Sequence, residues 1–529
     1  MRIATDHVRA DVRDQATKIL ARLGEDATPA AEEPPFVVPH PQPRRSAPAV
    51  QPVRSADELA DVLLGLLEDV DPVEMERAID GLLRLADERP ATADLLWTRA
   101  SASQYYVDDP RTAPAILVLA WLTPRKRLGD GDWLILLGHS MFTNETASPE
   151  TFVGALGRRF TGVAQAIRRG PHTSVALPTS TDGILAADEL SRRLSDVGRT
   201  HPAIELELAI ALLRVPHEQR ASVAMPRSLR KSAAVARVLR TRSPDWERGV
   251  VSYQRVNREP EHRIPIFRDK SGHERTAAAG ILARATPGRI LGAEVAYGEY
   301  DPRFEQTLAL GASLLPHDHD VLAAHAHPYL HRDLRKDRAC CVPVLDALAQ
   351  ARSANSEPAL SALALGLAAK DARGCTAAQD AVLDLARHGV LHGDSLGRQA
   401  ALLLRDDVVV GRRLIGGLAE CARVSDAAVV PVLEALQQIL TVLPGRRDAG
   451  AFVELAADLA ERTGREVALP SEFRQLASGK SSSILAKASR RLLRDERAAP
   501  EIATGRGRPG PTGSLAAALS RNGRAVEPC

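Results

Sequence analysis

From Val342 to Leu493 the chain keeps returning to one pattern: apolar residues three and four apart, then a break of Pro, Gly or small polar residues. That spacing is the period of a helix with a single apolar face. It predicts helices over Val342 to Ala351, Glu357 to Ala369, Thr376 to Arg387 and Ser395 to Leu404. It predicts four more over Arg412 to Ala422, Ala427 to Leu443, Ala451 to Arg462 and Ser482 to Leu493. Successive helices recur at roughly 15 to 30 residues, so pairs recur near the roughly 40 residues of HEAT-like arrays. A helix of this kind cannot bury its stripe alone. Each pair must cover the next, which gives a core that runs along a stack.

Composition points the same way. Hydrophobic residues make up 44% of the 529 but aromatic ones only 3%, so Ala and Leu supply most of the apolar surface. Those residues favour helices, whereas sheets draw on β-branched and aromatic side chains. A chain this long exceeds what one core organises, so several domains or a repeat array are expected. The 69 basic and 67 acidic side chains leave a net charge of +2, which argues against wholesale binding to nucleic acid and allows a local patch. The five cysteines, Cys340, Cys341, Cys375, Cys421 and Cys529, are odd in number and form no CxxC pair. A disulfide framework and a structural zinc site are therefore not expected, and a reducing, cytoplasmic setting is. The start MRIATDHVRADVRDQ is charged throughout, unlike a secretory signal. The apolar runs Ile116 to Leu122 and Trp133 to Leu137 fall short of the roughly 20 residues that span a bilayer.

Along the chain, Arg9 to Leu23 predicts a helix closed by Gly24, and residues 1–24 are read as the terminal helix of a truncated repeat. Residues 25–54 form a Pro-rich linker; EEPPFVVPHPQPRRSAP excludes helix and predicts an extended connector, with a PxxP ligand as the alternative. A helical domain is expected over 55–225. Ser55 and Glu58 make a capping box, and Pro72 opens a second helix, giving an antiparallel hairpin. Between Trp97 and Leu177 the pattern loosens, and Ser174 to Leu177 reads as a short strand. Helical stripes return from Asp188, at Ile204 to Leu213 and at Leu229 to Leu239. Residues 226–330 combine a basic helix with a β decoration, since VVSYQRV, RIPIFRD and GAEVAYGEY alternate as strands do. C-terminal helical repeats occupy 331–495, and the GRGRPGPTG tail in 496–529 is expected to be disordered.

Three stretches carry a resemblance. The segment VALPTSTDGILAADELSRRLSDVG followed by LELAIALLRVP, within residues 175–216, resembles a bacterial HEAT-like helical-repeat family of unknown function. A Pro-Thr, a Gly turn, a Leu-x-x-Arg-Leu helix and an ALLRLP-like helix recur in that order in the family. ERAIDGLLRLA (residues 76–86) and GKSSSILAKASRRLL (residues 479–493) are similar to it as well. The resemblance covers most of residues 55–495. It implies a helical solenoid, often encoded near MoxR-type ATPases, von Willebrand A proteins and SWIM zinc-finger proteins. It brings no activity and no catalytic residues. HVRADVRDQATKILARLG resembles the closing helix of a repeat without its earlier partners, which implies a short member or a truncated or mis-started gene.

Three constellations could carry chemistry. His317, Asp318, His319, His325, His327 and His331 offer imidazole and carboxylate ligands for zinc or iron. Yet histidines two apart on a helix do not face each other, and no HExxH pattern supports them. Surface and loop histidines are expected, with no metal and no cofactor. Arg227, Arg230, Lys231, Arg237 and Arg240 fall largely on one side of a helix, with no acidic residue from Met225 to Pro244. That face suits phosphates or an acidic partner, against an ordinary solvated face. Gly138, His139 and Ser140 follow Asp130 and Asp132, but no GxSxG elbow surrounds the serine. The Gly154 to Gly157 and Gly505 to Gly513 stretches lack the phosphate-loop pattern. The expectation is an all-α, α-α superhelix with a small irregular or β-containing decoration, acting as a non-enzymatic scaffold for other proteins. The alternative is a helical nucleic-acid binder that uses the Arg227 to Arg240 face.

Overall fold

The computed structural model describes residues 18, 36–103, 112–124, 152–196, 205–230, 233–239, 246–253, 262–269, 302–334, 341–351 and 356–498. Most of them are helical. Helix α1 (Ala56–Glu68) starts at Ser55, whose hydroxyl accepts from Glu58 N at 3.2 Å. Glu58 reaches back to Arg54 N at 2.8 Å, so the capping box closes one residue earlier than its usual form. Helix α2 (Pro72–Arg84) has Asp71 as its cap, taking Val73 N and Glu74 N, each at 2.8 Å. These two ends satisfy backbone donors that a helix start would otherwise leave open.

Helices α3 (Ala93–Ser103), α4 (Thr112–Leu122) and α5 (Phe152–Arg169) occupy the stretch where the sequence pattern loosens. Every residue of α4 is buried. A helix covered on all sides has no polar face, and therefore no period to read. Trp121 Nε1 finds Leu85 O at 3.2 Å, so its one polar atom is satisfied in the interior. Next come α6 (Ala187–Asp196), α7 (Glu205–Leu213), a 3₁₀ turn at His217–Ser222, α8 (Arg227–Arg230) and α9 (Ala233–Leu239). Ser174 to Leu177 is a buried loop and not the strand its composition suggests. Its carbonyls are taken by arginine side chains, as described below, which removes the need for a partner strand.

Strands β1 (Trp246–Tyr253) and β2 (His262–Asp269) pair antiparallel, with Trp246 opposite Asp269 and Tyr253 opposite His262. The ribbon packs on α11 (His319–Asp333), where the Phe267 ring meets His327 edge-on at 5.0 Å. The third strand-like stretch, GAEVAYGEY, lies outside the described residues.

From α10 (Pro302–Leu314) onward the helices form two rows. One row runs α11, α13 (Glu357–Leu367), α15 (Gly393–Arg405) and α17 (Asp426–Ile439), each packed on the next. The other runs α10, α12 (Val342–Ala349), α14 (Ala372–Arg387), α16 (Gly411–Val424), α18 (Ala449–Thr463) and α20 (Ile484–Ala498). A short helix, α19 (Ser471–Ser478), leans on α20. Helix α13 sits between neighbours of both rows, and its residues from Pro358 to Leu367 are all buried. Fully burying one leucine contributes about 1.5–3 kcal/mol, so such a helix is held almost wholly by its neighbours. Where α15 crosses α17 the backbones touch: a Cβ on Gly397 would overlap the Ala435 carbonyl. Among the described residues no helix is long and apolar enough to cross a membrane.

Candidate functional site

The Pro-rich residues 36–54 contain no helix, and they are not free. Proline rings fix an extended backbone that cannot bond to itself, so the remaining amides and carbonyls must find partners elsewhere. They find them across the helical array. The Phe36 ring lies under Arg462 at 5.4 Å, against α18. Gln42 N donates to Arg387 O at 2.9 Å, and His388 Nδ1 donates to Gln42 O at 2.6 Å, both at the end of α14. Arg44 donates to Ala349 O at 3.0 Å and Ala351 O at 2.7 Å, capping the carbonyl end of α12. Ala49 bridges Ser180, Val50 N meets Thr179 O at 3.1 Å, and Thr181 N meets Pro48 O at 2.9 Å. Val53 is buried between α1 and α2. The strap thus crosses helices more than 300 residues away in the chain, as the 346 residues between Gln42 and His388 illustrate.

Between the strap and the array lies a cleft of ≈ 970 Å³. Arg44 and Arg45 reach it from the strap, Asp182 from the turn before α6, His319 from the start of α11, and Arg387 and His388 from α14. Asp182 is engaged with its own turn, accepting from the Ser180 hydroxyl and from Ile184 N. Arg45 is exposed and forms no ion pair among the described residues. His319 is only 7% exposed. Burial, helped by His317 and Arg44 and opposed by Asp318, pushes its pKa down to about 4, so its imidazole is neutral. Neither ring nitrogen has a hydrogen-bond partner among the described residues.

A separate, buried ion cluster joins α2, α5 and α7. Glu76 of α2 takes Arg159 Nη2 from α5 at 2.8 Å and Arg214 Nη1, just past α7, also at 2.8 Å. Arg159 Nε is 2.6 Å from Glu207 of α7. All four side chains are buried. Burial alone would raise the Glu76 carboxyl, but the two guanidiniums overcome it and hold the pKa at about 2. Arg214 also donates to the Ala176 carbonyl and reaches Ser313 O at 3.3 Å, while Arg193 takes Leu177 O. Three of the four ionic residues come from the stretches that carry the family resemblance, ERAIDGLLRLA and LELAIALLRVP. Those stretches therefore meet in space as one charge network, which their separate positions in sequence do not reveal.

Of the histidines, His319, His327 and His331 are buried, not the surface and loop residues expected of them. His317 is half-buried in the turn before α11, and the His325 side chain lies outside what is described. His317 Nε2 lies 3.2 Å from Arg214 O, and Asp318 is buried against Arg220 at 3.2 Å and His217 at 3.3 Å. His327 is fully buried and meets Ser361 Oγ at 2.8 Å, and His331 is buried too. His327 and His331 are interior because α11 is enclosed by α13 and the β-ribbon. Among the described residues no group of three or more His, Cys, Asp or Glu side chains is placed to hold a metal ion. Of the basic face, Arg227 and Arg230 are exposed on the short α8 and Arg237 belongs to α9. Lys231 and Arg240 lie outside the described residues, as do Gly138, His139, Ser140, Asp130 and Asp132 and the tail. Gly154 and Gly157 sit within α5. Comparisons with protein-family models, with curated proteins and with solved structures find no match.

Proposed function

We propose that this chain is a non-enzymatic, cytoplasmic helical-repeat scaffold that binds other proteins. Its two rows of helices are read as a HEAT-like α-α superhelix, with the β-ribbon as a decoration. The observation that carries this reading is the strap. An extended polypeptide already lies across the array, held by backbone hydrogen bonds and by Arg44, which caps the end of α12. A surface that holds one extended segment in this way has the chemistry to hold another. The resemblance in sequence adds a direction for the partner: a MoxR-type ATPase of the AAA class or a von Willebrand A protein. No catalytic residue, metal or cofactor is assigned.

Affinity purification from native cells, with cross-linking and mass spectrometry, tests the proposal. The expected result is a specific ATPase or von Willebrand A partner, cross-linked along one row of helices. Recovery of nucleic acid without protein overturns it. That outcome belongs to a second reading, favoured by the exposure of Arg227 and Arg230 with no ion pair among the described residues. Together with Lys231, Arg237 and Arg240 they would meet phosphates, and binding would weaken steeply with salt. Charge reversal at Arg230 and Arg237 should then abolish it; unchanged binding disposes of that reading.

A further inference from the structure

We propose that the turn closing α14, Arg387 to Gly389, is a seat for a Pro-x-Pro segment. The strap occupies it within the chain, and a proline-rich segment of a partner protein takes the strap's place. The inference rests on the scaffold reading and names the chemistry of the partner. Pro39, Pro41 and Pro43 alternate along the strap. A proline has no N–H, so between Pro41 and Pro43 the one backbone donor is that of Gln42. The end of α14 is shaped to take it. Val390 N returns to Leu385 O and Gly389 N to Ala386 O, each at 3.0 Å, the paired bonds of a Schellman turn. Those bonds do not use the Arg387 carbonyl, and Gln42 N donates to it at 2.9 Å. His388 Nδ1 donates in turn to Gln42 O at 2.6 Å. Both main-chain groups of Gln42 are held, while its side chain is exposed.

Gly389 supplies an independent observation. It stands at φ 67°, and a Cβ there would lie 2.7 Å from Pro41 Cγ. The bare backbone both closes the helix and lets a proline ring lie against it. The seat therefore reads a ring, then an N–H and a C=O, and not the side chain between the prolines. Another Pro-x-Pro segment meets the same three demands, and its stiffness limits the freedom it loses on docking. Phe36 under Arg462 and Arg44 on the end of α12 flank the seat. The best partner segment thus carries an aromatic residue five positions before its first proline and an arginine after its second. The strap is placed to give way. Every residue from Val37 to Pro43 is exposed, and behind Gln42 to Ala47 lies the cleft, so this part stands off the array. Segments with few buried apolar contacts are the first to open. Val50 and Val53 are buried, so the chain stays anchored there when residues 36–46 leave.

The test uses the full chain and a labelled synthetic peptide of residues 36–46, FVVPHPQPRRS, followed by fluorescence anisotropy. In Gln42→Pro the strap keeps an extended backbone but loses the N–H that Arg387 O accepts. That variant should bind the peptide about tenfold more tightly than the parent, and Pro41→Ala should shift binding in the same direction. A peptide carrying the Gln42→Pro change should bind the opened chain about fivefold more weakly, and so should the unaltered peptide when His388→Ala is added to that chain. Thermal melts check that the variants fold. No binding, equal binding by the parent and both opened variants, or binding indifferent to the peptide change and to His388→Ala overturns the proposal. Sedimentation of the parent at rising concentration adds a further check. A dimer that Gln42→Pro abolishes would make the strap of a second copy the occupant and overturn the partner assignment. A protein partner recovered from cells that binds the parent and Gln42→Pro alike leaves the scaffold reading standing and removes this inference.

Discussion

At the scale of single residues, the least replaceable groups are those of the buried ion cluster. Breaking such a pair on one side leaves an uncompensated charge in the interior, which typically costs about 3–5 kcal/mol. Glu76→Gln is expected to destabilise the fold by that order, measured by urea unfolding. The pH dependence has a definite sign. The Glu76 carboxyl is held at about 2 against an ordinary 4.5. The stability it contributes is therefore complete above pH 4.5 and is lost as pH falls from there towards 2. The loss is on the order of 3 kcal/mol, and Glu76→Gln should flatten that part of the acid unfolding curve. His217 works in the opposite sense. Its bond to Asp318 raises its pKa, so its contribution is full below pH 6.5 and fades as pH rises through the raised value. Chemical-shift titration of His217 in the parent and in Asp318→Asn checks this, with the pKa expected to fall in the variant.

At the scale of elements, the C-terminal helices other than the enclosed α13 were readable because each keeps a polar side. The periodicity of Ala451 to Arg462, for example, locates α18 within two residues of its observed ends. Helix α4 shows the converse. TAPAILVLAWL is apolar all round, so its character depends on what surrounds it and not on its own pattern. Helix crossing geometry is a second quantity that single elements do not display. Gly393 and Gly397 sit four apart, on the face where α15 meets the backbone of α17. Adding a methyl at Gly397 forces the two helices apart, and Gly397→Ala should cost about 1–3 kcal/mol by thermal or urea unfolding. A neutral or stabilising result would show that the rows can shift freely, contrary to the close packing observed.

At the scale of the whole molecule, the strap ties helices of the first half to helices of the second. Arg44→Ala removes two hydrogen bonds to the carbonyl end of α12 and a charge that opposes its dipole. Faster amide exchange at Gln42, Val50 and Thr181 is expected, together with a loss of about 1–2 kcal/mol. Exchange that changes only at residue 44 would mean that the strap is held in independent pieces. The proline content made an extended conformation legible here, because proline constrains its own backbone. Docking was not legible, because the partners of Gln42 and Arg44 lie far along the chain.

The same division runs through the protein. Helix periodicity, the Ser55 and Pro72 starts and the alternation of the β-ribbon depend on neighbours no more than two to four positions away, so the sequence by itself determined them. The enclosure of α4, the burial of His319 and His327, and the meeting of Glu76 with Arg214 across 138 residues depend on which distant surfaces come together. Burial and electrostatic pairing are properties of that assembled environment. Only the tertiary structure could decide them.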